Sequence, residues 1–273
     1  MESLELKKIH EVELEILDVV DRFCRTHKIH YSLYCGTMLG AVRHGGFIPW
    51  DDDIDICMLR ADYNRFIKLW LSSDNHEYIL QNKETDPGFT QSFTKIRKNH
   101  TTFLQENEKR GQYHTGFFID ILPLDRIPNG KLRKLMFKWD LMNYLLFTRE
   151  FVPPKSGTSV TVVSHFLLRL STKGNRIKKR KMYLRRITKY NKDHSLKLVS
   201  ANSLDGLNHE MPSDLPYHYK QLPFEERKYL CYTDCDGLLS AWYGDYMELP
   251  PEDQRVWRHH PILVSFDKNL DEI

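Results

Sequence analysis

Asp53 and Asp55 stand one residue apart in Asp53-Ile54-Asp55-Ile56-Cys57-Met58, where polar and apolar residues alternate strictly. Period-two alternation predicts a strand with Ile54, Ile56 and Met58 on one face and the two acids on the other. Two carboxylates about 6.6 Å apart on one side of a rigid strand make a seat for a hard divalent cation, although ordinary edge strands carry such pairs too. Ahead of them, the apolar run Tyr31 to Cys35 enters Gly36-Thr37 and a compact segment that closes at Gly45-Gly46, the pattern of a strand turning straight into a helix. A helix start offers unpaired N–H groups and the positive end of the dipole. Gly36 lets the backbone approach an anion closely, so Gly36 and Thr37 are candidates to cradle phosphate.

Two later strands add charge. Ser92 to Lys98 alternates so that Lys95 and Arg97 share a face, where cations would neutralise phosphate beside a metal; a solvated basic strand fits the same pattern. In Phe117-Phe118-Ile119-Asp120-Ile121, Asp120 emerges from apolar surroundings, a costly position unless the acid is paired or binds metal. Asp125, beyond Pro123, is expected to cap the following turn. Asp51 lies in phase with Asp53 and is a further candidate for the metal shell, though the Pro49-Trp50 bend disturbs the phase there.

Helical elements must hold these strands. Residues 4–27 place Ile9, Val12, Ile16, Val19, Val20 and Phe23 at helical spacing, a scaffold helix for the sheet. Residues 61–71 read as a second helix and 78–81 as a strand. Residues 131–150 are helical with Leu132, Leu135, Met136, Trp139, Met142 and Phe147 expected inward, and Pro153-Pro154-Lys155-Ser156-Gly157 then breaks the chain. Near the end, Leu238, Leu239 and Trp242 predict a short helix stopping at Gly244.

The 273 residues, 41% hydrophobic and 28% charged, can bury a substantial core, and no apolar run is long enough to span a bilayer. The start MESLELKKIHEVELEILDVV is too acidic and polar for a secretory signal, which predicts a cytoplasmic protein. Five cysteines form an odd set, several in apolar-periodic segments, so reduced thiols are expected. Cys231-x-x-x-Cys235 with His259 and His260 would be a zinc half-site, but no second cysteine pair completes it. A net charge of +3 hides an asymmetry, because residues 173–192 hold ten Lys or Arg and no acid. This run follows the apolar stretch Val160 to Leu170, and the combination suits an interfacial element on anionic lipid, with Lys178, Lys179, Arg180 and Lys181 as membrane or acceptor contacts. A plain solvated helix is the competing reading. Nucleic acid is disfavoured, since no binding motif accompanies the run and its aromatics are only Tyr183 and Tyr190.

Gly36-Thr37 followed by an Asp-x-Asp strand resembles the signature of the nucleotidyltransferase superfamily. Gly36-Thr37-Met38-Leu39-Gly40, Arg43-His44-Gly45-Gly46-Phe47-Ile48-Pro49-Trp50 and Asp51-Asp52-Asp53-Ile54-Asp55 together resemble the LicD family, phosphocholine transferases related to fukutin and fukutin-related protein. The resemblance covers most of residues 28–255 and is weakest between 131 and 215. It implies an α/β (mixed α+β) fold: a nucleotidyltransferase-like core with a twisted mixed sheet flanked by helices, plus a helical insertion. It further implies one catalytic domain over 24–255, with a core at 28–127, a basic helical insertion at 131–200 and a closing segment at 215–255, and residues 1–23 as an N-terminal helix packed on the core. By the same resemblance Asp53, Asp55 and Asp120 hold Mg²⁺ or Mn²⁺, and Gly36, Thr37, Arg43, Lys95 and Arg97 meet the donor's phosphates. The implied reaction moves phosphocholine from CDP-choline to a lipid-linked glycopolymer precursor of teichoic acid or lipopolysaccharide type, releasing CMP at the inner face of the cell membrane. Two other readings stay open. One is a nucleotidyltransferase or polyol-phosphate transferase using another CDP-linked donor; the other is a non-catalytic, membrane-docked partner protein that keeps the fold.

Overall fold

The computed structural model describes residues 4–105, 108, 113–152, 157–257, 259 and 261–273. The expected break at Pro153 to Ser156, and His260, lie outside them. Along the chain run α1 (Leu4–His27), β1 (Ser32–Leu33), α2 (Cys35–Arg43), β2 (Asp55–Leu59), α3 (Arg60–Leu71), β3 (Tyr78–Gln81), β4 (Thr94–Lys98), β5 (Thr102–Gln105) and β6 (Phe118–Arg126). Then follow α4 (Lys131–Arg149), α5 (Thr158–Arg169), α6 (Lys173–Thr188), β7 (Leu198–Ser200), β8 (Tyr219–Phe224), β9 (Arg227–Tyr232), α7 (Cys235–Tyr243) and β10 (Pro261–Ser265). The fold is mixed α/β, a mixed sheet flanked by helices, as the sequence implied. The chain forms two compact units: Met1–Gln81, Phe93–Leu122 and Leu215–Ile273 make the first, and Asn82–Ser92 and Pro123–Asp214 the second.

In the first unit the strands lie in the order β1-β2-β6-β4-β3. The alternation read from the sequence sets the buried face of β2, since Ile54, Ile56 and Met58 are fully buried. The strand itself starts only at Asp55, so Asp53 sits in irregular backbone just ahead of it. α1 buries Leu6, Ile9, Leu14, Ile16, Leu17 and Val20, a stripe at helical spacing that removes apolar area from water. α7 ends at Gly244, whose φ of +68° glycine adopts without strain.

β6 pairs with β4 over Phe118–Ile121 in the first unit and with β7 over Leu124–Arg126 in the second. Pro123 has no N–H to give and lies between these two pairings. Asp125 therefore continues the strand instead of capping a turn; it is buried and accepts from Asn191 Nδ2 at 2.7 Å.

In the second unit the expected inward face of α4 is corrected except at Phe147, which is buried. Leu132, Leu135, Met136 and Trp139 are exposed, by 72%, 64%, 46% and 53%, and Met142 is only partly buried. The helix carries two apolar stripes, and the one holding Phe137, Leu141, Tyr144 and Leu145 packs against Ile187 of α6 and Val199 and Ala201. Among the described residues no helix is long and apolar enough to cross a membrane.

Candidate active site

Backbone pairing gathers the acids. Tyr34 N donates to the Asp55 carbonyl at 3.0 Å and opens α2, so the start of that helix lies beside the start of β2. Asp55 N donates to Thr37 Oγ1 at 2.8 Å, and Asp120 N donates to the Ile54 carbonyl at 2.8 Å. Asp53 and Asp55 thus flank the residue that receives Asp120. Gly36 has a steric reason: a Cβ there would lie 2.5 Å from Asp51 Oδ2. The preceding loop is clamped from the β8–β9 turn, where Glu225 Oε1 accepts from Phe47 N at 2.9 Å and Glu225 N donates to the Gly45 carbonyl at 2.8 Å. From α1, His10 stacks on Phe47 with ring centroids 3.7 Å apart and bonds through Nε2 to the Asp51 carbonyl at 2.7 Å. A carbonyl only accepts, so His10 carries its proton on Nε2.

The cluster is anionic, with Asp52 and Asp120 buried and Asp53 and Asp55 partly so. Burial, then the charges of Asp53, Asp120 and Asp51, pushes the Asp55 carboxyl well above the ordinary range. Asp53, its side chain 19% exposed, is raised by burial and by Asp120 and Asp52, against the pull of His259 and Lys95. Lys95 answers Asp120: the two are in register on β4 and β6, and Nζ meets Oδ1 at 2.7 Å with both side chains buried. Burial lowers the Lys95 ammonium pKa, and Asp120 opposes that shift. Nζ also lies over the Phe118 ring, 3.2 Å from its centroid.

His259 is a member that the sequence placed elsewhere. Its backbone N and Nδ1 both bond the Asp52 carboxylate at 3.1 Å, and Nε2 lies 3.8 Å from Asp53 Oδ2. Burial by itself would lower the imidazole pKa, but the Asp52 hydrogen bond and the charges of Asp53 and Asp52 raise it. Asp52, Asp53 and His259 form the metal-competent trio among the described residues, and no such group there includes Cys231 or Cys235. Those thiols are free and buried, 3.5 Å apart, with Cys235 Sγ donating to the Tyr232 carbonyl. Proximity in space, not in sequence, would have been needed to see His259.

The other expected residues divide. Arg97 is fully buried and bonds through all three nitrogens: Nε to Gln81 Oε1 at 2.6 Å, Nη1 to the Gly116 carbonyl at 2.7 Å and Nη2 to Glu108 at 3.2 Å. These bonds tie it to β3 and to the segments ahead of β6. Arg43 Nη1 donates to the Tyr246 carbonyl at 2.8 Å, and burial and the neighbouring Arg255 lower the pKa of its guanidinium. Arg255 itself stacks on Trp50 at 5.5 Å. Two guanidinium groups that repel one another suit an anion. Of the basic run, Lys178 and Lys181 are exposed, whereas Arg180 is buried against Glu84 at 2.5 Å and Lys179 donates to Ser171 Oγ at 2.7 Å. A helix of 3.6 residues per turn cannot set four consecutive side chains on one face, so Lys179 and Arg180 turn to contacts within the unit while Lys178 and Lys181 face outward.

The family model described as LicD/FKTN/FKRP, nucleotidyltransferase domain, matches residues 28–161. A Haemophilus influenzae protein named lipopolysaccharide cholinephosphotransferase LicD is 31% identical over 274 residues, covering 95% of this chain and 97% of that relative. Its match runs through residues 131–215, where the motif resemblance is weakest. An uncharacterized protein of Rickettsia typhi is 35% identical over 72 residues, 24% of this chain and 23% of its own. One from Rickettsia prowazekii is 53% identical over 36 residues, 13% and 14% of the respective chains.

Proposed function

The chain belongs to the LicD family, and from that premise we propose that it transfers phosphocholine from CDP-choline to a sugar hydroxyl of a cell-surface glycopolymer precursor, of lipopolysaccharide or teichoic acid type, releasing CMP. What supports the reading is the backbone that brings the acids to one place: Asp120 N bonds the carbonyl of Ile54, the residue between Asp53 and Asp55, and Lys95 pairs with Asp120. The donor set fits Mg²⁺ or Mn²⁺, because it consists of carboxylate oxygens whose mutual repulsion a hard divalent cation would relieve. Asp53, Asp55 and Asp120 would hold the ion, with Asp51 beside them and Asp52 kept in place by His259. Bound there, a divalent cation supplies charge neutralisation for the donor's pyrophosphate.

The chain's own groups do the rest. The start of α2, with no side chain capping it, presents N–H groups to a phosphate, while Thr37 fixes Asp55. Lys95 keeps positive charge beside the acids, where the leaving CMP gains charge as the acceptor oxygen bonds the phosphorus bearing choline. Arg43 and Arg255 offer a second cationic edge.

The second unit supports contact with an anionic membrane surface, the setting of a lipid-linked acceptor. α6 lines a groove of about 400 Å³ with Lys178, Lys181, Met182, Arg185 and Arg186, joined by Lys189 just after it. α4 exposes Leu132, Leu135, Met136 and Trp139 among Lys131, Arg133 and Lys138. Apolar residues interleaved with cations are what an interfacial helix presents to anionic lipid. Lys178→Gln with Lys181→Gln should weaken binding to anionic vesicles by about 2 kcal/mol, at about 1 kcal/mol per surface cation. Co-sedimentation at low salt checks this, and unchanged binding would favour a plain solvated helix.

Incubation with CDP-choline and other CDP-linked donors, Mg²⁺ and a lipopolysaccharide-type acceptor tests the reading. CMP should appear with CDP-choline and stop with chelator. No release from any CDP-linked donor would contradict it.

A further inference from the structure

Glu13 lies on α1, on the stripe through Ile9 and Leu17 that packs into the core. An ionised carboxylate is costly there unless something answers it. The residue is 1% exposed, and its Oε2 has no hydrogen-bond partner among the described residues. His10 indicates where the group lies. It bonds the Asp51 carbonyl at 2.7 Å, and residues three apart share a helix face, so the same side of α1 brings Glu13 to the acidic segment. Burial, followed by the charges of Asp53, Asp52, Asp51 and Asp120, pushes the Glu13 carboxyl well above its usual range. The acids of the site are therefore its electrostatic neighbours.

We infer that Glu13 is a further carboxylate of the cation site, giving its unpaired oxygen to the divalent ion or to the ion's water and so positioning the Asp51–Asp53 segment around it. This rests on the cation-dependent reading of the site. A carboxylate behind the direct ligands orients them and sustains affinity, and loss of such a group costs about ten- to a hundredfold in metal binding. The competing role is a protonated acid that only fills space and hydrogen-bonds.

Glu13→Gln separates the two, since it keeps volume and hydrogen-bonding capacity but removes the anionic oxygen. Mn²⁺ titration of the full chain without donor, followed by the paramagnetic signal of free Mn²⁺, should show the dissociation constant weakened about ten- to a hundredfold. Melting temperature in chelator should hold or rise, and its increase on adding Mn²⁺ should shrink. Glu13→Met, similar in length and apolar, serves if the Gln variant does not fold, because apolar replacement of a buried charged group is often tolerated. Wild-type Mn²⁺ affinity in either folded variant would overturn the role of Glu13 while leaving the cation site standing. Failure of the unaltered protein to bind Mn²⁺, with or without CDP-choline, would overturn the cation reading and the inference with it.

Discussion

Asp53→Asn and Asp55→Asn should each lower turnover by about a thousandfold or more, the scale of losing several kcal/mol of transition-state stabilisation at a metal site. Each change keeps the side chain's shape and removes one anionic oxygen from the proposed cation site. The fold should not suffer. Burial first, then Asp53, Asp120 and Asp51, disfavours the charge on Asp55, and removing that charge relieves the repulsion. Melting in chelator should therefore occur at the same temperature or higher. Turnover against Mg²⁺ concentration checks the first half and calorimetry the second. Either variant with ordinary turnover at limiting Mg²⁺ would remove its acid from the site.

Lys95→Ala should slow transfer by about ten- to a thousandfold, the loss of one charged contact made more strongly in the transition state. Here stability should fall as well. Nζ lies 2.7 Å from Asp120 Oδ1 with both side chains buried, and removing one partner leaves a buried charge uncompensated, at a cost of about 3 kcal/mol or more. Lys95→Met with Asp120→Asn removes both charges and should recover the melting temperature but not the turnover. Recovery of both would make the pair a structural ion pair only. Single-turnover kinetics on the single variant, run below its melting temperature, separates slow chemistry from lost protein.

Much of this site could be read from the chain because its residues lie on strands or next to them. Period-two alternation identified Ile54, Ile56 and Met58 as buried, and it singled out Asp120 as an acid needing a partner, which the register with β4 supplies as Lys95. Alternation could not show that β2 begins only at Asp55, since strand ends depend on which neighbours pair. Nor could it tell the direction in which Arg97 spends its donors, because Gln81, Gly116 and Glu108 are brought to it by folding.

Helices misled in a different way. α4 has two apolar stripes, and packing on Ile187, Val199 and Ala201 decides which is buried. On α6, counting cations overlooked the helical repeat that turns Arg180 toward Glu84. On α1 a signal was present: Glu13 interrupts the stripe of Ile9 and Leu17 at i+4 spacing, an acid where an apolar residue would fit. His259 gave no local signal, since it reaches Asp52 across 207 positions of sequence.

The most direct measurement follows both products of one reaction mixture, CDP-choline, a lipopolysaccharide-type acceptor, Mg²⁺ and the protein, by mass spectrometry of the acceptor and quantitation of free nucleotide. If the acceptor oxygen attacks the phosphorus bearing choline, CMP and phosphocholine ester rise together one for one, and neither forms in chelator or with Asp53→Asn. A nucleotide attached to the acceptor, or phosphocholine transfer that proceeds unchanged in chelator, would contradict that assignment of the reaction and of the acids that carry it.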